Sequence, residues 1–224
     1  MSKKKELDRL IKELEKKAKN LPLAKKASDI VPPEGNPDAK LMFIGEAAGF
    51  HEHVQRRPFV GVAGKLLTKS LSKIGVKRSE VWISNILKVR PPQNRDPVPE
   101  EIEAYKPYLD QEIHIIDPKI IVTLGRFSLR KFIPNTYISQ IHGLARWVDW
   151  EGKKIVVFPM YHPAAALRNG HVKRMFEEDF AKLKKVMSNV NNQSITAEPE
   201  EEHKETTQES KKTQQLTLIE NRQD

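Results

Sequence analysis

The chain contains no cysteine among its 224 residues. This absence excludes disulfide bonds, thiolate zinc sites, a cysteine nucleophile and an iron–sulfur cluster held by cysteine. Long apolar runs are also missing, since none reaches the roughly 18–20 residues of a membrane-spanning helix. The first stretch, Ser2 to Lys17, is too charged to be a secretory signal. These absences predict a soluble protein that works inside the cell, in the cytoplasm.

Charge is plentiful but unevenly distributed along the chain. The formal net charge is +9, yet residues 188–224 hold eight acidic and four basic residues, a net −4, so residues 1–187 carry +13. Such an excess of base indicates a partner that carries phosphate. Residues 188–224 are rich in polar side chains and poor in large apolar ones, so burial cannot offset their ordering entropy. We therefore predict a folded domain over 1–187 and a disordered tail over 188–224.

Strand and helix signals alternate along the predicted domain. Apolar residues recur at helical spacing over residues 3–19, which predicts an amphipathic N-terminal helix. Short apolar runs predict four buried strands, Leu41–Ile44, Val81–Leu87, Ile120–Leu124 and Ile155–Phe158. Further helices are expected from Ala63 to a stop at Gly75, from Pro99, near Phe127, and from His171 to Met187. This alternation indicates an α/β fold whose parallel sheet is covered by helices on both faces.

Polar loops follow three of the predicted strands. The first strand is followed by 45–61, the second by Asn85 and 88–95, and the fourth by 161–169. Sites in such folds form beyond the carboxyl ends of the strands. We therefore expect a carboxylate, an amide, an imidazole, an aromatic ring and several cations to meet at one edge of the sheet.

Four blocks in these loops carry a family resemblance. They are Gly45-Glu46-Ala47-x-Gly49, Arg57-Pro58-Phe59-Val60-Gly61-x-Ala63-Gly64, Lys88-x-Arg90-Pro91-Pro92-x-Asn94-Arg95 and His162-Pro163-Ala164-Ala165-x-Leu167-Arg168-Asn169. In order and spacing they resemble the motifs of family 4 uracil-DNA glycosylases, over a region from about Leu21 to Met187. The resemblance implies a three-layer sandwich with a central four-stranded parallel sheet. It also implies a DNA repair enzyme that excises uracil and leaves an abasic site.

The chain departs from that family at several positions. The family holds a [4Fe–4S] cluster with four cysteines, and alignment of the motifs places Ala18, Leu21, Val89 and Tyr105 at those positions. None of these residues replaces a thiolate, so we expect no cluster, no other cofactor and no metal. His51 and His53 are spaced like metal ligands, but no third ligand is in view.

Two further departures lie in the loops of the predicted site. Ala48 stands where the family has proline, and Arg56 stands where it has glycine. The lesion range is consequently open, and a related glycosylase for another deaminated base such as hypoxanthine is an alternative. A uracil-DNA binding module without turnover is a second alternative.

The resemblance assigns chemistry to particular residues. It implies that Glu52 stabilises the sugar cation and orients water, and that His162 donates a hydrogen bond to the departing uracil. It places Asn85 on the Watson–Crick edge of a flipped uracil, where an amide offers both a donor and an acceptor. Each residue also has an ordinary structural alternative. Glu52 would then be a solvent-facing loop carboxylate, His162 a loop histidine and Asn85 a turn-forming amide.

Further residues are predicted to complete the pocket and the DNA surface. Glu46 and Ala47 shape the uracil pocket, although Glu46 is equally a loop-capping carboxylate, and Phe59 either stacks on the base or packs in the core. Leu167 or Arg168 enters the gap left by the flipped base, unless Leu167 is a core residue. Cations that would face DNA phosphates, or only solvent, are Lys88, Arg90, Arg95, Arg168 and Lys173.

The tail ends in a short apolar segment, Gln215 to Ile219. It resembles the peptides by which repair proteins bind sliding clamps, although the usual terminal aromatic is missing. A flexible tether of this kind would raise the local concentration of the enzyme on DNA, and an accidental apolar patch is the alternative. We expect a monomer that associates with the nucleoid and acts on single- or double-stranded DNA.

Overall fold

The computed structural model describes residues 1–191 of the chain. Its strands are β1 (Glu34–Gly35), β2 (Leu41–Gly45), β3 (Trp82–Asn85), β4 (Ile120–Leu124), β5 (Arg146–Trp150) and β6 (Lys153–Met160). Its α-helices are α1 (Lys3–Lys16), α2 (Phe50–Gln55), α3 (Val62–Lys73), α4 (Pro99–Ile116), α5 (Arg126–Phe132), α6 (Ile138–Ile141), α7 (Pro163–Arg168) and α8 (Gly170–Asn191). Single 3₁₀ turns lie at Ala18–Asn20, Ala27–Asp29, Arg78–Glu80 and Pro92–Asn94.

The strands form one sheet in the order β1-β3-β2-β4-β6-β5. The four central strands are parallel, and the two edge strands, β1 and β5, pair antiparallel with their neighbours. The predicted three-layer α/β fold with four central parallel strands is confirmed, and two edge strands that the sequence did not indicate extend the sheet to six. β1 has two residues, and β5 alternates half-buried with exposed positions, so neither shows an apolar run.

Each face of the sheet is covered by a separate apolar layer. In β2, Leu41 and Phe43 face the layer formed by α3 and α8, whereas Met42 and Ile44 face the layer formed by α1, α4 and α5. The alternation follows from the two-residue period of a strand. A strand buried on both faces is therefore apolar throughout, as the continuous run in β2 indicates.

Helix ends differ from the sequence expectations by a few residues. α1 ends at Lys16 rather than at 19, and a 3₁₀ turn follows it. α3 ends as predicted before Gly75, whose φ of 81° suits glycine; Gly75 N and Val76 N donate to the carbonyls of Ser72 and Leu71. α8 extends to Asn191, so the first residues of the predicted tail are helical. The remaining tail, with Gln215 to Ile219, lies outside the described residues.

Within residues 1–191, no helix combines the length and the apolar character needed to cross a membrane.

Candidate active site

A cavity of about 400 Å³ opens at the carboxyl ends of the parallel strands. The loops after β2, β3 and β6 all contribute to its wall, as expected from the sequence. Its lining includes these predicted site residues: Glu46, Ala47, Glu52, Phe59, Asn85, Arg95, His162 and Arg168. It also includes Ala63, Pro91, Asn94 and Ala164, which lie in the four sequence blocks but received no role there.

Asn85 is the last residue of β3 and lies beside Gly45 of β2 in the parallel register. Its side chain is buried, with 4% of the residue exposed, and Oδ1 has no hydrogen-bond partner. A Cβ at Gly45 would collide with Asn85 Oδ1 and the Phe59 ring, so glycine is required there. An unpaired carbonyl oxygen in a buried position costs free energy. The Asn85 Oδ1 atom can therefore accept a hydrogen bond from a ligand in the cavity.

His162 lies between the end of β6 and the first turn of α7. Its Nδ1 accepts a hydrogen bond from Ala164 N at 3.1 Å, which caps the helix. Burial, together with the nearby Arg168 cation, lowers the pKa of His162 to about 4, although the Glu52 carboxylate opposes this effect. The ring is therefore neutral at pH 7, with its single proton on Nε2. The site thus contains an uncharged hydrogen-bond donor.

Phe59 packs beside the imidazole of His162 and lines the same cavity as the amide of Asn85. Its ring centroid is 5.7 Å from that of His162, with a 36° interplanar angle, and the residue is 6% exposed. Its backbone has a φ of 50°, and its carbonyl accepts from Arg78 Nη1 at 3.1 Å. Phe59 both joins the core layer and lines the cavity, so the two predicted roles are compatible.

Glu52 belongs to the short helix α2 that follows the first loop. Its Oε1 accepts from Val60 N at 2.9 Å and from Gly61 N at 2.7 Å. One carboxylate oxygen therefore fixes the turn that carries Phe59, and Oε2 is left beside Gly49 at the cavity wall. Glu46 is half-buried at the same wall, and burial, with a smaller contribution from Asp96, raises the pKa of its carboxyl group.

Four of the predicted DNA-facing residues lie in the segments that form the cavity wall, and two of them, Arg95 and Arg168, line the cavity itself. Leu167 is 44% exposed, and Arg168 beside it donates from Nε to Ala164 O at 3.2 Å. Arg90 donates to Asn94 Oδ1 at 2.8 Å, and its guanidinium lies 5.2 Å from the Phe50 ring centroid. Arg95 pairs with the buried carboxylate of Glu101 at 2.5 Å. Lys173, the fifth, is exposed near the start of α8.

Lys88 does not face DNA, and that expectation is wrong. The residue is 1% exposed, and its ammonium pairs with Glu112 of α4 at 2.6 Å beneath the end of β3. The sequence contained one signal of this arrangement. Glu112 follows Leu109 and precedes Ile113 and Ile116 on the buried face of α4. A carboxylate in that position requires a buried partner.

The four positions aligned with cluster-binding cysteines come together in one apolar cluster, and none of them lines the cavity. Ala18, Val89 and Tyr105 are buried in one apolar cluster, and Leu21 packs against it. The Tyr105 hydroxyl donates to Pro22 O at 2.8 Å, and burial raises its pKa. The side chains fill the space and offer no thiolate, so they do not fit an iron–sulfur cluster. Among the described residues no group of His, Asp or Glu could hold a metal ion, and this includes His51 and His53.

The two departures in the loops have local structural consequences. Ala48 is buried, and its backbone N donates to Val89 O at 3.4 Å. Arg56 ends α2 in the left-handed conformation, with a φ of 51°. Its guanidinium bonds Ile30 O at 3.1 Å and forms an ion pair with Glu15. The arginine therefore occupies a glycine-like backbone position while its side chain ties α2 to the N-terminal region.

Comparisons with known proteins agree with this geometry. The Uracil DNA glycosylase superfamily model matches residues 32–184, which include all six strands. A type-4 uracil-DNA glycosylase from Sulfurisphaera tokodaii is 47% identical over 165 residues, 71% of this chain and 75% of that protein. A type-4 uracil-DNA glycosylase from Saccharolobus solfataricus is 45% identical over 80% of this chain and 86% of that protein. One from Archaeoglobus fulgidus is 43% identical over 79% of this chain and 91% of that protein. The chain belongs to the uracil-DNA glycosylase superfamily.

Proposed function

We propose that the protein is a monofunctional uracil-DNA glycosylase. It hydrolyses the N-glycosidic bond between uracil and deoxyribose in DNA, releases the free base and leaves an abasic site. The observation that carries this proposal is the buried Asn85 amide, whose Oδ1 has no partner, in a cavity shared with a neutral His162. The names of the type-4 relatives support the same reaction.

Base recognition rests on the amide of Asn85. Its Oδ1 accepts the N3–H of a flipped uracil, and its Nδ2 donates to the O4 carbonyl. Cytosine presents the opposite pattern, an acceptor at N3 and a donor at N4, so the same amide orientation leaves unpaired groups on both sides. Phe59 supplies an apolar surface for the base, and Glu46 and Ala47 complete the wall of the cavity. A buried amide that is already unpaired gains its hydrogen bonds only with the correct base.

Bond cleavage rests on charge stabilisation at both ends of the breaking bond. Negative charge develops on the departing uracil, and His162 donates from Nε2 to its oxygen without itself carrying charge. Positive charge develops on the sugar, where the free Oε2 of Glu52 provides a carboxylate that also orients the attacking water. The hydrogen bonds from Val60 N and Gly61 N to Oε1 hold that carboxylate in place.

The DNA strand itself is held by cations and one apolar side chain in and beside the segments that form the cavity wall. Arg90, Arg95, Arg168 and Lys173 contact phosphates, and Leu167 enters the gap that the flipped nucleotide leaves. Leu167 is partly exposed, and the two residues that follow it, Arg168 and Asn169, are exposed as well, which supports this role.

A lesion panel tests the proposed function. The full chain is incubated with end-labelled oligonucleotides that contain one uracil, hypoxanthine or cytosine, single- or double-stranded, followed by alkali cleavage of abasic products. We expect product from uracil in at least one strand form and none from cytosine. Product from hypoxanthine alone would establish the alternative specificity. Tight binding of uracil-DNA without product at micromolar enzyme would establish a binding module instead.

Four further properties belong to the same proposal. The enzyme works without an iron–sulfur cluster, because apolar packing around Tyr105 replaces it; metal analysis of the purified full chain should find no iron. It acts as a monomer on DNA of the nucleoid in the cytoplasm.

Its segment Gln215 to Ile219 binds a sliding clamp. Co-sedimentation of the full chain with a purified clamp, compared with a chain ending at residue 214, tests the last property.

A further inference from the structure

The ion pair between Lys88 and Glu112 contacts the backbone of Asn85. Both side chains are almost fully buried, 1% and 2% exposed, and Lys88 Nζ lies 2.6 Å from Glu112 Oε1. The second carboxylate oxygen accepts from Ser84 Oγ at 2.7 Å and from Trp82 Nε1 at 3.4 Å. The carboxylate of α4 thus contacts two residues of β3, and the pair fixes that strand against the helix.

The ammonium group has three hydrogens and three acceptors. Besides Glu112, it donates to Ser84 Oγ and, at 2.9 Å, to the backbone carbonyl oxygen of Asn85. The last bond matters because the Asn85 side-chain oxygen has no partner of its own. With the side-chain oxygen unpaired, the position of the amide depends on the packing around it and on how firmly the backbone of residue 85 is held.

A buried ion pair is an expensive way to join a helix to a strand. Its desolvation costs as much as its attraction returns, and apolar residues of similar volume are often at least as stabilising. Burial lowers the pKa of Lys88, although Glu112 opposes this effect. Stability alone therefore does not account for a pair at this place. The hydrogen bond from Lys88 to the Asn85 carbonyl does account for it, because an apolar side chain could not form that bond.

We propose that Lys88 and Glu112 are positioning residues for uracil recognition, which act through the backbone of Asn85. This inference rests on the proposed function, because it assigns a purpose to the amide that reads the base. Lys88 holds the carbonyl of residue 85, and Glu112, with Ser84, holds Lys88. The amide of Asn85 then meets the uracil edge without having to reorganise.

The test replaces the charged pair by an apolar pair. Lys88→Met with Glu112→Leu removes both charges together, so neither is left buried and alone, and the fold should persist. We expect kcat/KM for uracil excision to fall about tenfold, the effect of losing one hydrogen bond from a charged group. The preference for uracil over cytosine should fall with it.

A second ion pair on the same helix provides the matched control. Lys131 of α5 pairs with Asp110 of α4, with side chains only 10% and 16% exposed, and neither residue is hydrogen-bonded to Asn85. The double change Lys131→Met with Asp110→Leu should leave kcat/KM and base preference near the wild-type values. Equal losses from the two pair replacements would overturn the proposal, because they would indicate a general effect of destabilisation.

Two further readouts separate positioning from stability. In an Asn85→Ala background, the apolar replacement of Lys88 and Glu112 should cause no additional loss of kcat/KM, and a full tenfold additional loss would overturn the proposal. The side-chain amide NMR signal of Asn85, assigned by comparison with Asn85→Ala, should move in the replaced pair. An unmoved signal would overturn the positioning proposal. This readout does not require activity, so it remains valid if the wild-type chain excises no uracil, a result that would contradict only the proposed function.

Discussion

At the scale of single residues, the proposed chemistry depends on His162 being an uncharged donor. His162→Ala should lower the single-turnover rate of uracil excision by about 100- to 1,000-fold, the usual effect of removing one donor to a developing anion. Because Nδ1 also caps α7, the alanine should cost about 1 kcal/mol of stability as well. His162→Asn restores a capping side chain but is too short to reach the base. A rate for the asparagine variant near the wild-type value would contradict the donor role.

The low pKa of His162 predicts the pH dependence of excision. In the folded protein this pKa is about 4, below the ordinary 6.5, so the ring stays neutral as pH falls from 8 to 5.5. The single-turnover rate at saturating enzyme should therefore show no histidine titration over this range. A charged donor of ordinary pKa would instead raise the rate about tenfold for each pH unit of acidification between 8 and 7. Such a rise would contradict the neutral-donor mechanism.

Asn85 determines which base edge the cavity accepts. Asn85→Asp exchanges the amide donor for a carboxylate oxygen, so the O4 carbonyl of uracil loses its donor and meets negative charge. We expect kcat/KM for uracil to fall by about 100-fold or more, because a buried site with no partner for a polar group of the substrate rejects that substrate by a factor of this size. The ratio of uracil to cytosine excision should fall too. Competition between the two oligonucleotides in one reaction measures that ratio, and an unchanged ratio would remove Asn85 from base recognition.

At the scale of elements, the end of α2 shows how a departure from the family is accommodated. Arg56 has a left-handed backbone, which costs a non-glycine residue about 1–2 kcal/mol. Arg56→Gly and Arg56→Ala both lose the contacts to Ile30 and Glu15, but only glycine relieves the backbone. Urea unfolding should therefore show the glycine variant to be more stable than the alanine variant by about 1 kcal/mol. Equal stabilities would mean that the left-handed conformation is not retained in solution.

Secondary-structure elements were predicted correctly where one local sequence signal was strong. Predictions failed where the burial of a residue depended on a partner far away in the sequence. The apolar runs of β2 and β4 and the stop at Gly75 each stand alone in the sequence, and each was placed within a residue or two. The edge strand β5 was missed because its alternating residues resemble a polar loop. Lys88 was misplaced because a lysine in a loop motif is usually exposed, and its partner Glu112 lies 24 positions away in another element.

The candidate site followed the same pattern. Glu52, Asn85 and His162 were brought to one cavity as the order of the strands predicted. Local contacts could not be predicted, because the hydrogen bonds of Glu52 to Val60 and Gly61 depend on the left-handed turn at Phe59. Likewise, the single protonated nitrogen of His162 follows from its contact with Ala164 in α7.

At the scale of the whole molecule, net positive charge should make DNA binding depend strongly on salt. Each phosphate contact contributes about −0.9 to the slope of log affinity against log salt concentration. Arg168→Gln, in the cavity wall, should make this slope about one unit less steep for duplexes with an abasic site. Lys184→Gln removes an exposed charge in α8, about 20 Å from the first residue of that helix, and should leave the slope unchanged. Equal effects would indicate diffuse attraction rather than a defined DNA surface.

The most direct measurement of the central proposal is the release of free uracil by the full chain. Uracil-labelled DNA is incubated with purified protein without added metal, and the soluble base and the intact strand are quantified together. The proposed function predicts free uracil in equal amount to abasic sites, with no strand break before alkali treatment. The absence of free uracil at micromolar enzyme, or strand breaks that appear without alkali, would contradict it.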